Sequence, residues 1–302
     1  GRLVHWSACQ GAHPTRDLLA TVYGLEPAQV QVVVPDVGGG FGAKSRTYPE
    51  ELALAWYARQ LGRPVKWTET RSENVAAMPQ GRGQIQYAKL GGTRDGKITA
   101  YQLDVFQAAG AYPIIGAILA GMTQRMLTGV YEIANCGFNG TAVVTNKVST
   151  TAYRGAGRPE ATVAIERMID RYAAEIGMDP AEVRRINLVP RFTQPYTTGI
   201  GTQYDSGDYP AALEMVLDKA GYAELRAEQA RRRAEGSGQL LGIGLGAYVE
   251  ITAGGAGSEF GSVELLPGGR MRVTSGATPS GQGHDTTWAM LVSERTGVPY
   301  DR

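Results

Sequence analysis

The stretch "VVVPDVGGGFGAK", from Val32 to Lys44, joins a strand-forming run to three consecutive glycines and one large aromatic residue. Its first residues are apolar and β-branched, which favours a buried strand. Glycine loses more conformational freedom on folding than any other residue, so a glycine cluster indicates backbone at positive φ or in very close approach to another group. The stretch therefore predicts a buried strand that leads into a loop of special backbone geometry.

Taken alone, this loop has three interpretations. It can be a tight strand-to-helix turn, or a cradle of backbone N–H groups for a phosphate or another anion. It can also be a wall against a bulky cofactor, with Phe41 packing and neighbouring amides donating hydrogen bonds. Lys44 stands in "FGAKS" without the GxxxxGK[ST] spacing, which argues against a nucleoside triphosphate loop.

Two further loops combine glycines with polar side chains. "TTAYRGAGRPEA" (150–161) holds Arg154 and Arg158 among small residues just before a predicted helix, and rigid guanidinium groups suit a planar or anionic ligand. "TPSGQGHDTT" (278–287) places Gln282 between two glycines at a strand-to-helix junction. Free N–H groups at such a junction can bind a phosphate.

Plainer interpretations of these residues stay open. Either arginine can simply solvate its loop, although the pattern of two favours a ligand, and Asp285 or Thr286 can be an ordinary N-cap. Glu250, in the apolar run "GAYVEIT", is either a buried carboxylate or an exposed residue of an edge strand.

The composition narrows the class of protein. The chain has 302 residues, 43% of them hydrophobic, with 30 basic and 29 acidic side chains. This balance gives no electrostatic basis for binding nucleic acid or an anionic membrane surface. No apolar run approaches the roughly 18 residues that span a membrane, so we predict no membrane span.

Metal-binding side chains are scarce in this sequence. Cys9 and Cys136 are the only cysteines, whereas an iron–sulfur cluster usually takes four. His5, His13 and His284 are scattered, without the spacing of a histidine metal site. We therefore predict no metal ligand among the side chains.

The order of elements predicts an α+β fold with mixed sheets and packed helices in two subdomains, 1–195 and 196–302. Helical spacing and end signals predict helices over 13–25, 48–62, 160–177, 179–189, 208–222, 223–236 and 287–297. Alternating or apolar runs predict strands over 2–10, 29–34, 64–70, 84–90, 97–112, 240–252, 261–267 and 270–276.

Several local signals add detail to these elements. The "TRDGK" turn predicts that the strands on either side of it, 84–90 and 97–112, form an antiparallel pair. Gly24 is the predicted end of the first helix, and Asp179 is the predicted cap of the helix over 179–189. Leu52, Trp56 and the Leu61 region form the predicted apolar side of the helix over 48–62. Residues 192–208 are predicted to form a long connection.

Four motifs in order, "ACQG", "GGGFGAK", "AYRGAGR" and "SGQGHDTT", resemble the molybdenum-binding large subunit of the xanthine dehydrogenase/aldehyde oxidase/carbon monoxide dehydrogenase family. The likeness extends through "GVYEIANCGFNGTAVVTNK" and "LLGIGLGAYVEIT" and is nearest to the carbon monoxide dehydrogenase-like group with the AYRGAGR loop. It implies two subdomains that bind a molybdenum–pterin cofactor, both of them incomplete in an internal fragment.

The resemblance also implies roles for individual residues. Gln10 is implied to contact an oxygen ligand of molybdenum, Phe41 to flank the metal, and Arg154 to stabilise negative charge that develops on the substrate side. Gly40 and Gly42 are implied to press their backbone against the cofactor, with the Gly42 amide as a donor. The pterin's dithiolene sulfurs would hold the metal, so that no side chain ligates it.

The third loop is implied to hold the pterin part of the cofactor. Gln282, Gly283 and His284 are its implied binding residues, with the helix N-terminus implied to lie near the phosphates. The implied cofactor form is the cytosine dinucleotide. The implied reaction is the hydroxylation of an aldehyde or N-heterocycle with water as the oxygen source, in the cytoplasm.

The resemblance implies that electrons pass from this chain to partner subunits. Iron–sulfur clusters and FAD would sit on partner subunits, in a dimer of heterotrimers. The family's catalytic Glu would lie beyond Arg302, so we expect the chain alone to be inactive. Gly155 stands where carbon monoxide dehydrogenases have a Cys, and Ser45 stands where purine-specific members have a Glu. Carbon monoxide oxidation, a phosphate- or nucleotide-binding module and a non-catalytic assembly module remain as alternatives.

Overall fold

The computed structural model describes residues 1–251 and 257–302, and within them the chain forms helices and short sheets. The α-helices are α1 Ala12–Tyr23, α2 Pro49–Leu61, α3 Arg71–Ala77, α4 Leu119–Arg125, α5 Arg158–Ile176, α6 Pro180–Asn187, α7 Tyr209–Ala220, α8 Tyr222–Ala234 and α9 His284–Thr296. The strands are β1 Leu3–Trp6, β2 Val30–Val33, β3 Gln84–Gly92, β4 Ile98–Gly110, β5 Asn135–Val144, β6 Tyr196–Thr197, β7 Gln203–Tyr204, β8 Gly261–Leu266 and β9 Arg270–Ser275. The α+β fold with mixed sheets is confirmed.

The chain divides into two compact units. The first unit contains Gly1–Pro79, Ala152–Arg154 and Thr252–Arg302, of which 252–256 lie outside the described residues. The second unit contains Gln80–Thr151 and Gly155–Ile251. The subdomain boundary predicted at 195/196 stays a prediction.

A β–α–β element organises the first unit. β1 and β2 pair in parallel, from Leu3 opposite Val30 to Trp6 opposite Val33, and α1 connects them. Leu19 of α1 is fully buried in a small core with Val30. Gly24 ends α1 in the left-handed region at φ 62°, as the sequence predicted. Because β1 and β2 are parallel, their carboxyl ends lie at the same edge of the sheet.

Two sequence predictions for the first unit need correction. The predicted strand over 64–70 does not form, because Thr70 instead begins α3 with a capping box in which its hydroxyl accepts the Glu73 N–H at 3.2 Å. α2 begins and ends as predicted, but Trp56 is 50% exposed and Leu61 is 54% exposed. Leu52 does pack against the core, so the predicted apolar side of α2 is only partly buried.

The second unit is built on a three-stranded sheet in the order β3-β4-β5. β3 and β4 form the predicted antiparallel pair, and β5 runs parallel to β4. α5 packs on the sheet, with Ile165 and Ile169 buried against Leu103 and Val105 of β4. α6 follows with the predicted cap, in which the Asp179 carboxylate accepts the Ala181 N–H at 2.8 Å.

The strand predicted over 240–252 does not form in the described residues, and Thr252 lies outside them. Residues 241–251 nevertheless alternate between half-buried and exposed, as an extended segment does. Side chains occupy some of its carbonyl oxygens: Gln229 donates to Leu241 O at 2.9 Å and Arg184 donates to Leu245 O at 3.1 Å. The alternation was therefore predicted correctly, whereas the strand pairing was not.

The remaining predicted elements are confirmed with small shifts. β8 and β9 form an antiparallel hairpin in the first unit. The last helix, predicted from residue 287, begins at His284. The predicted long connection over 192–208 carries the two-residue strands β6 and β7.

Candidate cofactor site

The carboxyl ends of β1 and β2 bring Gln10 and the glycine loop together. Gln10 Oε1 accepts hydrogen bonds from Gly42 N at 2.9 Å and Lys44 N at 3.2 Å. The backbone N–H of Gln10 donates to Lys44 O at 2.8 Å. A Cβ atom on Gly40 would overlap the Gln10 side chain. Glycine at position 40 therefore makes room for a side chain from the loop after β1, as the sequence predicted for backbone in close approach.

The same loop presses against the short segment Ala152–Arg154. Gly42 has φ +94°, and a Cβ there would lie well inside 3.0 Å of Ala152 O. The Arg154 N–H donates to Phe41 O at 2.8 Å, and its guanidinium carbon lies 5.4 Å from the centroid of the Phe41 ring. Such a distance is within the range of a cation–π interaction.

Phe41 itself has an unusual conformation. It is a non-glycine residue at φ 53°, a region that side chains seldom occupy. The residue is 56% exposed, although phenylalanine is usually buried. Strained backbone in ordered loops is concentrated at functional sites. The exposed ring and the arginine beside it therefore form a surface suited to a planar ligand.

The third loop lies against the glycine loop within the first unit. A Cβ on Gly281 would be 3.8 Å from Gly39 N, and Ala12 N lies 3.5 Å from Thr278 Oγ1. Gln282 is exposed and turns its Oε1 back to accept from Ser280 N. Gln10, Phe41, Arg154 and the 278–284 loop thus share one region of the first unit.

The N-terminus of α9 has no side chain that caps its first backbone N–H groups. Its N-cap is Gly283, at φ 74° and without a side-chain cap, so neither Asp285 nor Thr286 is the N-cap. The His284 and Trp288 rings lie 5.5 Å apart. Among the described residues, His284 Nδ1 and Trp288 Nε1 are buried atoms without a hydrogen-bond partner. Buried polar atoms are normally hydrogen-bonded, so this pair could bind a polar group of a ligand.

The segment after the glycine loop braces it. Tyr48 donates its hydroxyl to Ala43 O, and its N–H donates to Glu51 Oε2 at 2.8 Å. Burial, and then the negative charges of Glu69, Glu51 and Glu50, together raise the pKa of Tyr48 to about 12. The hydroxyl therefore remains a donor at neutral pH. Sequence reasoning missed Tyr48 and the Lys44 side chain as parts of the loop; their closeness to it in sequence was the available signal.

Two residues singled out from the sequence belong to the second unit. Arg158 and Glu250 form an ion pair there, with 27% and 44% of their side-chain surfaces exposed. The interpretation of Glu250 as a buried carboxylate is therefore wrong. Gln102 and Cys136 help to line an open hollow of about 640 Å³ in the second unit, and no predicted site residue lines it.

The polar groups around the glycine loop suit a metal ion that is held by a pterin and not by side chains. Within the described ranges, no group of three or more His, Cys, Asp or Glu side chains could hold a metal ion. The site instead offers backbone N–H groups, amide side chains and an arginine. Added Cβ atoms at Gly38 and Gly283 would meet nothing within 4 Å, so space is open at both loops. These features fit a cofactor that brings its own metal ligands.

No helix among the described residues is long and apolar enough to cross a membrane.

The chain matches a known protein family over most of its length. Residues 1–188 and 215–302 each match a molybdopterin cofactor-binding domain family. The chain therefore belongs to the molybdopterin cofactor-binding domain proteins, as the four motifs predicted.

Individual relatives show which members of the family this chain is similar to. The chain is 37% identical to the carbon monoxide dehydrogenase large chain of Hydrogenophaga pseudoflava, over 99% of this chain and 39% of the relative. It is 31% identical to the nicotine 6-hydroxylase large subunit of Paenarthrobacter nicotinovorans, over 99% of this chain and 38% of the relative. Quinoline 2-oxidoreductase from Pseudomonas putida 86 superimposes with a TM-score of 0.92 at 32% identity, over 99% of this chain and 40% of that one. The chain thus spans about two fifths of the length of these relatives.

Proposed function

We propose that this chain is part of a molybdenum hydroxylase and that its first unit binds a molybdenum–pterin cofactor, in the cytosine dinucleotide form. The proposed reaction oxidises an aldehyde or an N-heterocycle with water as the oxygen source. The observation that carries the proposal is the gathering of Gln10, Phe41 and Arg154 at one edge of the β1–β2 sheet, with the 278–284 loop beside them. When bound, the cofactor would supply the two-electron redox centre.

Gln10 is proposed to present its amide nitrogen to the cofactor. Its Oε1 already accepts from Gly42 and Lys44, which orients the carboxamide. The remaining capacity of the side chain is the Nε2 group, with two donors. The sequence-based interpretation gave the ligand-directed donor to the Gly42 amide, which in the structure donates to Gln10. We therefore assign the Nε2 of Gln10 to an oxygen ligand of the metal.

Arg154 and Phe41 are proposed to act on the substrate side. A guanidinium is a cation and can stabilise negative charge that develops on a substrate heteroatom. The exposed Phe41 ring offers a flat face on which a planar heterocycle can stack. Neither side chain has to move a proton in this role.

The third loop is proposed to hold the pterin. Gly281 and Gly283 adopt φ 118° and φ 74°, so the loop can approach a ligand through its backbone. His284 Nδ1 and Trp288 Nε1 would gain the partner that they lack among the described residues. Gly40 and Gly42 would form the opposing backbone wall, and Gln282 would order the loop through its bond to Ser280.

Carbon monoxide oxidation is the second candidate, favoured by the 37% identity to a carbon monoxide dehydrogenase large chain. One feature of this chain opposes it. Gly155 has φ +92°, and a Cβ there would lie 2.9 Å from the Pro159 ring. A Cys at this position would therefore be strained in this backbone. The relatives named for nicotine and quinoline support the N-heterocycle proposal instead.

Partners are proposed from the relatives, which are named as a large chain and a large subunit. The 302 residues contain only Cys9 and Cys136, whereas an iron–sulfur cluster usually takes four cysteines. We therefore assign iron–sulfur clusters and FAD to partner subunits, in a cytoplasmic dimer of heterotrimers. Electrons from the substrate would leave through these partners.

The proposal is tested on the natively expressed protein with its partners. Molybdenum and pterin content are measured first, and then turnover on quinoline-type heterocycles, aldehydes and carbon monoxide. Arg154→Met is expected to lower kcat by about a hundredfold at unchanged molybdenum content, whereas Arg59→Met, at an exposed position of α2, should leave kcat unchanged. Absence of molybdenum from active native protein would refute the proposal.

A further inference from the structure

Lys44 closes the glycine loop through its side chain. Its Nζ donates to Val37 O at 2.7 Å, and Val37 is 8% exposed. Lys44 is also held at its backbone, since its N–H donates to Gln10 Oε1 at 3.2 Å and its carbonyl accepts from Gln10 N at 2.8 Å. The side chain therefore spans the loop from its last residue to the residue before the first glycine.

Such a closure addresses a physical difficulty of the loop. The loop contains Gly38, Gly39, Gly40 and Gly42, which leave the unfolded chain with large conformational freedom. Phe41 must nevertheless be held at φ 53°. A single ordered geometry thus requires hydrogen bonds across the loop, and the Lys44 side chain supplies the one that joins its two ends.

Neighbouring side chains act on other carbonyls of the loop. Ser45 Oγ donates to Gly42 O at 2.7 Å, and the Tyr48 hydroxyl donates to Ala43 O. Lys44 differs from both because it reaches the start of the loop and carries a charge. No carboxylate of the described residues forms an ion pair with it. Its ammonium therefore serves the loop carbonyl and not a salt bridge.

We propose that Lys44 is a positioning residue for the proposed cofactor site: its Nζ holds the Val37 carbonyl and thereby fixes Phe41 and Gly42 in the geometry that the site requires. The structural part of this inference stands on hydrogen bonds of the first unit. Only its consequence for turnover rests on the proposed function.

The first test uses the full-length protein, expressed natively with its partners and prepared without cofactor. Amide hydrogen exchange is followed at Gly42 and Lys44 in the wild type and in Lys44→Met, which removes the donor while keeping the length of the side chain. Exchange is expected to be about tenfold faster in Lys44→Met and close to wild type in Lys44→Arg, which keeps donors and charge. Lys66→Met, at an exposed position of the same unit, is the matched control and should change nothing. Unchanged protection in Lys44→Met would overturn the inference.

The second test uses the holoenzyme and expresses kcat per bound molybdenum. Lys44→Met is expected to lower this kcat about tenfold or more, with KM within about twofold of wild type, because misplacing site groups weakens interactions made in the transition state. Lys44→Arg should restore most of it. Loss of cofactor with normal kcat per remaining molybdenum would contradict a positioning role.

If Lys44→Met does not fold, Lys44→Gln, which keeps one donor group, is measured in both assays with the same criteria. A changed exchange rate in a protein that never holds molybdenum would support the loop closure and refute the proposed function.

Discussion

Replacing Gly42 with alanine is expected to destabilise the first unit by about 3 kcal/mol. The backbone at φ +94° disfavours any side chain by roughly 1–2 kcal/mol. The new Cβ would also overlap Ala152 O, a backbone atom that cannot rotate away, and overpacking of this kind typically adds about 1–3 kcal/mol. About 1 kcal/mol from the first range and about 2 kcal/mol from the second give the expected total.

A matched substitution separates the two contributions. Gly38 also has a positive φ, +66°, but a Cβ there would meet nothing within 4 Å. Gly38→Ala should therefore show only the conformational part, about 1 kcal/mol. The difference of about 2 kcal/mol between the variants measures the contact of the glycine loop with the Ala152–Arg154 segment.

Tryptophan fluorescence during urea unfolding suits this measurement. The four tryptophans of the chain, Trp6, Trp56, Trp67 and Trp288, all belong to the first unit. The signal therefore reports on the unit that carries the substitutions. Equal destabilisation by Gly42→Ala and Gly38→Ala would refute the argument that backbone contact requires glycine at position 42.

Two further predictions concern buried titratable side chains. Arg184 has no exposed side-chain surface and pairs with Glu166 at 2.7 Å, so Arg184→Met should destabilise the second unit by about 3–5 kcal/mol, measured by far-UV circular dichroism. Arg185→Met, which breaks only exposed pairs, should change it by less than about 1 kcal/mol, and similar losses would disprove the burial argument. Burial lowers the pKa of His5 while Glu51 opposes this shift; because the folded state then binds fewer protons, the free energy of unfolding should fall as pH drops below about 6.5. Tryptophan-monitored urea unfolding should show a weaker acid dependence in His5→Leu, and an identical pH profile would count against it.

Sequence by itself determined the local elements of this protein. α1 ends at Gly24 and α6 begins at Asp179–Pro180 as predicted, because cap residues and helical spacing act over a few neighbouring positions. The β3–β4 pairing was also predictable, since the "TRDGK" turn joins alternating strands close in sequence. The four motifs likewise identified the family correctly, because each is a short run whose residue types are specific.

Only the tertiary structure decided which loops meet and how their side chains point. Gln10 bonds to Gly42 and Lys44, which are 32 and 34 positions away, and the parallel pairing of β1 and β2 creates that contact. The residues at 241–251 have a strand's alternation but no strand partner among the described residues, because pairing depends on another segment and not on local propensity. The same holds for Phe41 and Arg154, which are far apart in sequence and meet only in the folded chain. Lys44 and Val37 are only 7 positions apart, but their bond depends on the backbone geometry of the glycine loop between them.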